Sequence, residues 1–153
     1  MKEAFNFPKK LYCVLLILWM ALIFYFSHQP VNESGQLSGS ISNTIANNIE
    51  NVFKFSPDRN LLEHIIRKCA HFTEYMILGI LMYTAFSKNN VLGGKIVSLC
   101  LILCILYAAG DEIHQIFVPG RGARITDVLI DSIGAAVGVC GIRLINIRYT
   151  KFK

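Results

Sequence analysis

Charge is scarce in this sequence. Of its 153 residues, 15 are Lys or Arg and 10 are Asp or Glu, 16% together, against 54% apolar. The mean hydropathy is +0.48. A soluble domain carries nearer ~25% charge, so this balance argues against one and for a bilayer. The net charge of +5 does not argue for nucleic acid, because the basic residues are not gathered on one segment. Many stand at the ends of apolar runs, as orientation signals do. CxxC spacing is also missing. The five cysteines (Cys13, Cys69, Cys100, Cys104 and Cys140) are odd in number and lie in or beside apolar stretches. Cys100 and Cys104 share a helical face at i, i+4 and read as packing thiols rather than a soft-metal pair. No disulfide framework or zinc site follows from them. No small-x-small cleavage site ends the first apolar run, 11–26, which leads instead into Ser27-His28-Gln29-Pro30. That run reads as a retained helix rather than a signal peptide. No internal repeat appears, and the length suits one domain over 1–153.

Four apolar runs predict spans at roughly 11–28, 66–86, 93–110 and 127–147. A bilayer core needs about 20 helical residues, so polar residues beside each run sit at the membrane boundary. The expected fold is all-α, an integral membrane four-helix bundle. An outer-face amphipathic helix lies between the first two spans, because Leu37, Ile41, Ile45, Ile49 and Val52 recur every three or four residues. Ser56-Pro57-Asp58 resembles a helix start, with a capping serine, a first-position proline and an acid facing the dipole. Asn89-Asn90 and Gly93-Gly94 mark a short inner turn. With a cytoplasmic N-terminus, nine of the 15 cations fall on inner segments, among them Lys2, Lys88, Arg143 and Lys153. Both termini are therefore expected in the cytoplasm of a multi-pass protein.

Under this topology the polar residues gather at the outer end. Ser27, His28 and Gln29 close the first span. Arg67, Lys68, His71 and Glu74 open the second. Asp111, Glu112, His114 and Gln115 follow the third, Arg121 and Arg124 lie in the loop, and Asp127 and Asp131 open the fourth. Adjacent spans run in opposite directions, so no single segment forces this coincidence. Arg67, His71 and Glu74 at i, i+4, i+7 line one helical face, and Asp127 and Asp131 at i, i+4 line another. An unpaired charge at depth costs roughly 2.5 to 3.5 kcal/mol. His71, Glu74 and Asp131 are therefore expected inward and paired, with Arg67, Arg121 and Arg124 as partners. The bland alternative is interfacial anchoring: Lys54, Arg59 and Lys68 read as headgroup or solvent contacts, His28 as a polar helix exit, and Asp127 as a cap. Gly134 and Gly138 form a GxxxG pattern, which allows close helix approach and a homodimer.

These motifs resemble the VanZ-like family. The stretches that carry the resemblance are Tyr25-Phe26-Ser27-His28-Gln29, the RKxAHFxEY run at 67–75 with Leu78-Gly79, and DEIHQxFVPGR at 111–121, followed by Asp127, Asp131 and Gly134. The resemblance covers nearly the whole chain. His28 departs from it, standing where the family carries a second serine. Membership implies a bacterial cell-envelope membrane protein. The family's best-known member is associated with low-level resistance to teicoplanin, a lipid-bearing glycopeptide antibiotic.

For the chemistry, the residues leave three readings. In the first, His71, Glu74, Asp111, His114 and Asp131 are catalytic. Arg67, Gln115, Arg121, Arg124, Ser27 and Gln29 hold an envelope lipid or lipid-linked phosphate, and His71 or His114 acts as general base, oriented by Glu74 or Asp111. A phosphatase or headgroup transferase would use such parts, although no GxSxG elbow is present. A metal at His71 and Glu74 is a variant, with hydrogen-bonded pairs preferred and no cofactor named by the pattern. In the second reading the site binds or shields lipids or cell-wall precursors without turnover. The third, a carrier, lacks a polar path toward the cytoplasm.

Overall fold

The computed structural model describes residues 8–87 and 93–151. Five helices follow one another: α1 (Lys9–His28), α2 (Val31–Phe53), α3 (Arg59–Ser87), α4 (Gly93–Gln115) and α5 (Ile125–Lys151). No strand occurs among the described residues, as the all-α expectation requires. Lys2, Lys88, Lys153 and the Asn89-Asn90 turn lie outside the described residues.

Three helices are long and apolar enough to cross a membrane, over Lys10–His28, Gly94–Gln115 and Ile125–Arg148. The helix expected as the second span, α3, is not among them, because His71, Thr73, Glu74 and its tyrosines dilute its apolar half. Its position explains why it tolerates them. Each of the other four helices packs on α3, and between His71 and Ser87 only Thr73 is exposed. Polar groups on this helix therefore meet protein more than lipid.

The closest packing is between α3 and α5, and glycine makes it possible. A Cβ on Gly134 would run into the Phe72 carbonyl, one on Gly138 into the Met76 carbonyl, and one on Gly79 into the Ala135 carbonyl. The small-residue face of α5 is thus taken up within the chain. Gly134 and Gly138, whose pattern allows a homodimer, here lie against α3 of the same chain. Below this contact Tyr75, Leu78, Met82, Cys100, Cys104, Ala108, Ala135 and Val139 form the core. Both buried cysteines are free thiols within it. Trp19 Nε1 donates to the Glu74 carbonyl at 2.9 Å, and Tyr107 Oη donates to the Met20 carbonyl at 2.7 Å. These two bonds pin α1 to α3 and α4 at the level where the polar residues begin.

Three local readings change. First, α4 does not stop at Gly110: its last turn carries Asp111, Glu112 and Gln115, all buried. Second, α3 starts at Arg59, where Asp58 Oδ1 accepts from the amides of Asn60 at 2.9 Å and Leu61 at 3.3 Å. The aspartate therefore caps the helix, and Ser56 lies outside it. Third, α2 docks on α3 through its small residues Ser38, Ser42 and Ala46 rather than its apolar stripe. Ser42 Oγ donates to the Arg59 carbonyl at 3.3 Å, and Arg59 reaches back to Asn43 and Asn47. Ile41 and Ile45 stay on the surface, 43% and 38% exposed. Small residues allow close helix contact, which leaves the apolar stripe to the surroundings.

Candidate functional site

A cavity of about 170 Å³ lies among α1, α2 and α3, closed by the end of α4 and the loop that follows it. Its lining mixes apolar residues (Ile23, Phe26, Ile41, Ile66, Ala70) with polar ones. Ser27 and Gln29 come from the end of α1, Ser38 from α2, and Asp111 from the last turn of α4. Arg67, His71 and Glu74 come from one face of α3, as their i, i+4, i+7 spacing predicts, and Arg121 comes from the loop. Behind His71 stands Asp131 of α5, 1% exposed, its Oδ1 3.4 Å from His71 Nδ1. Three of the acids and bases expected to be catalytic, His71, Glu74 and Asp111, thus share the cavity, and Asp131 backs it.

Many buried polar atoms here have no hydrogen-bond partner. They include Ser27 Oγ, Asp111 Oδ1, Gln115 Nε2 and Arg67 Nε, whereas His71 Nδ1 and Asp131 Oδ1 face each other. Ser27 and Gln115 flank the Asp111 carboxyl, yet none of these three atoms completes a hydrogen bond. A buried unmade bond typically costs about 1–3 kcal/mol. So many around one cavity suit a site that is filled by something polar.

The loop between α4 and α5 is tied at both ends. Glu112 Oε1 accepts from the Arg124 amide at 2.5 Å, and Val118, the one buried residue in it, anchors its middle. Gly120 adopts φ +77° with its Cα facing Val31, a conformation glycine takes without strain. Arg121 is thereby aimed at the cavity, and its Nη2 donates to the Phe26 carbonyl at 3.3 Å. Burial lowers the Arg121 pKa from its ordinary value, and neighbouring Arg67 acts in the same direction. The guanidinium remains a cation.

The RKxAHFxEY and DEIHQxFVPGR stretches are the segments that line this cavity and its loop. The family model for VanZ/LLP1 matches residues 12–146. The chain belongs to the VanZ-like family. No curated protein and no solved structure matches it.

In this VanZ-like protein the charged pairs differ from those expected. The acid that faces His71 Nδ1, at 3.4 Å, is Asp131, where Glu74 or Asp111 was expected. Arg67 Nη2 pairs with Glu63 at 3.0 Å, and the same Glu63 oxygen accepts from Ser38 Oγ at 3.0 Å. Lys68, expected in solvent or headgroups, forms an ion pair with Asp127, which adds a partner to that acid's expected capping role. His114 is placed away from the cavity. Its Nε2 lies 3.1 Å from His28 Nδ1, the rings stack with centroids 5.3 Å apart, and Phe24 packs against His114. Arg124 lines a neighbouring crevice instead of the cavity.

Sequence reasoning passed over Glu63, whose i, i+4 relation to Arg67 was a readable signal. It could not see that Glu112 would brace the loop, because that bond spans a turn of irregular backbone. Among the described residues, no three His, Cys, Asp or Glu side chains are grouped to hold one metal ion.

Proposed function

We propose that this VanZ-like protein acts on an envelope lipid or lipid-linked phosphate in the outer leaflet of the bacterial cytoplasmic membrane. The observation that carries this reading is a cavity lined by both apolar and ionisable side chains. Ile23, Phe26, Ile41 and Ile66 suit an acyl or prenyl chain, Arg67 and Arg121 at the cavity's edge suit an anionic head, and His71, Glu74 and Asp111 supply acid and base groups. In this reading Arg67 and Arg121 hold a phosphate. His71, facing Asp131, takes the proton from a water or alcohol that attacks phosphorus, the bond from phosphorus to the leaving oxygen breaks, and that oxygen takes the proton back from His71. The class is a phosphatase or headgroup transferase.

The test compares intact lipids and lipid-linked precursors by mass spectrometry in cells making wild type or Glu74→Gln at equal membrane levels. A species made only by wild type, with loss of its precursor, is expected. Identical profiles alongside a difference in teicoplanin sensitivity would replace catalysis with the second reading, shielding of lipids or cell-wall precursors from the antibiotic.

The membrane arrangement belongs to the same proposal. It has four spans, with α3 as the second, a domain over 1–153 and both termini in the cytoplasm. Support comes from the enclosure of the apolar half of α3 and from the cation count. Tags at either terminus are expected to stay protected from protease in intact cells. Cleavage of both from outside would invert the topology and put the site on the cytoplasmic face.

A further inference from the structure

A second space adjoins the cavity. It is a crevice of about 70 Å³ between the start of α3, the end of α4 and the loop, and the two share Arg67, His71 and Arg121 as walls. We propose that this crevice is an anion subsite, which takes the phosphate or other anionic headgroup while the cavity takes the apolar chain. This rests on the reading of the site given above and places its two halves.

Charge favours the crevice over the cavity for the anion. Arg67, Lys68, Arg121 and Arg124 line the crevice, against one carboxylate, Asp127, which is already paired with Lys68. In the cavity the same Arg67 and Arg121 face Glu74 and Asp111, so an anion seated there meets two carboxylates. Hydrogen bonding points the same way. Gln115, 5% exposed, lines the crevice with its Nε2 unpartnered, and Arg67 Nε is buried without a partner too. Both atoms are donors, and an ionised phosphate offers acceptors. His71, on the shared wall, then lies where headgroup and chain meet. The group at that junction in a phospholipid or prenyl phosphate is the phosphoester.

The experiment uses the purified full chain in nanodiscs of phosphatidylcholine with a minor fraction of phosphatidic acid, and measures lipid retention by native mass spectrometry. Inorganic phosphate serves as a separate soluble probe, with its affinity measured by titration. Arg124→Gln alters the crevice alone and keeps the amide that Glu112 holds. Ala70→Phe fills the cavity alone. Thermal melts matching wild type certify that both variants fold.

Arg124→Gln is expected to weaken phosphatidic acid and inorganic phosphate alike, about tenfold, the loss of one charge-assisted bond. Ala70→Phe is expected to weaken phosphatidic acid and leave inorganic phosphate unchanged. If Ala70→Phe abolishes retention while Arg124→Gln changes nothing, the anion subsite is overturned and the reading of the cavity stands. If inorganic phosphate is bound but neither variant affects phosphatidic acid, the crevice is a free-phosphate site and the lipid assignment falls. If neither variant affects either probe, both readings fall together.

Discussion

Asp131→Asn is expected to lower turnover of the lipid substrate about 100-fold while leaving the protein in the membrane at wild-type level. The size follows from what one positioned acid or base contributes, typically 10²–10⁴. The carboxylate stands 3.4 Å from His71 Nδ1 and is 1% exposed, so water cannot take its place. Asparagine matches its shape, which separates loss of charge from loss of packing. Because Asp131 acts through His71, the two residues behave as one unit. His71→Gln added to Asp131→Asn is therefore expected to cost little beyond either change alone. Independent, multiplying losses would mean that Asp131 serves something other than His71. Wild-type turnover in Asp131→Asn at equal membrane levels would remove the pair from the chemistry.

Gly138→Ala is expected to lower the melting temperature of the detergent-solubilised protein, whereas Gly141→Ala, one turn away on α5, is expected to leave it unchanged or raise it slightly. A Cβ on Gly138 meets the backbone of Met76, which cannot rotate aside as a side chain would; a Cβ on Gly141 meets nothing within 4 Å. Overpacking of this kind costs typically 1–3 kcal/mol, while alanine replacing glycine in an open helix position gains up to about 1 kcal/mol of propensity. Opposite responses from glycines three residues apart would locate the close contact within the chain. If Gly138→Ala instead left the melt intact and abolished cross-linking between copies, that face would belong to a dimer.

The one-ended placement of polar residues was legible because it depends on the order of the helices and little else. Ser27, His71, Glu74 and Asp111 come together once adjacent helices run in opposite directions. The family signature was legible in the same segments, and the 12–146 match agrees with it. The i, i+4, i+7 face of Arg67, His71 and Glu74 was local geometry and appears as expected. His114 fails by the same logic. It lies three residues from Asp111 and one from Gln115, but the last turn of α4 points Asp111 and Gln115 inward and turns His114 toward His28. Helical spacing groups residues onto a face without saying which face looks inward. The docking of α2 also escaped prediction. Apolar periodicity marks the stripe that avoids water, and in a membrane that stripe can meet lipid as readily as protein.

Composition and periodicity by themselves determined that the chain is helical, that it carries four apolar runs, of which three fall on helices long and apolar enough for a membrane, and that ionisable residues collect near one end. Tertiary structure decided which partner each of those residues has. Asp131 of α5 reaches His71 of α3, and Asp127 of α5 takes Lys68 of α3. Those pairings depend on the rotation and separation of packed helices, set chiefly by the backbone contact of Gly79, Gly134 and Gly138 between α3 and α5. The missing Cβ atoms are visible in the sequence, but the helix that fills their space is defined only once the chain has folded.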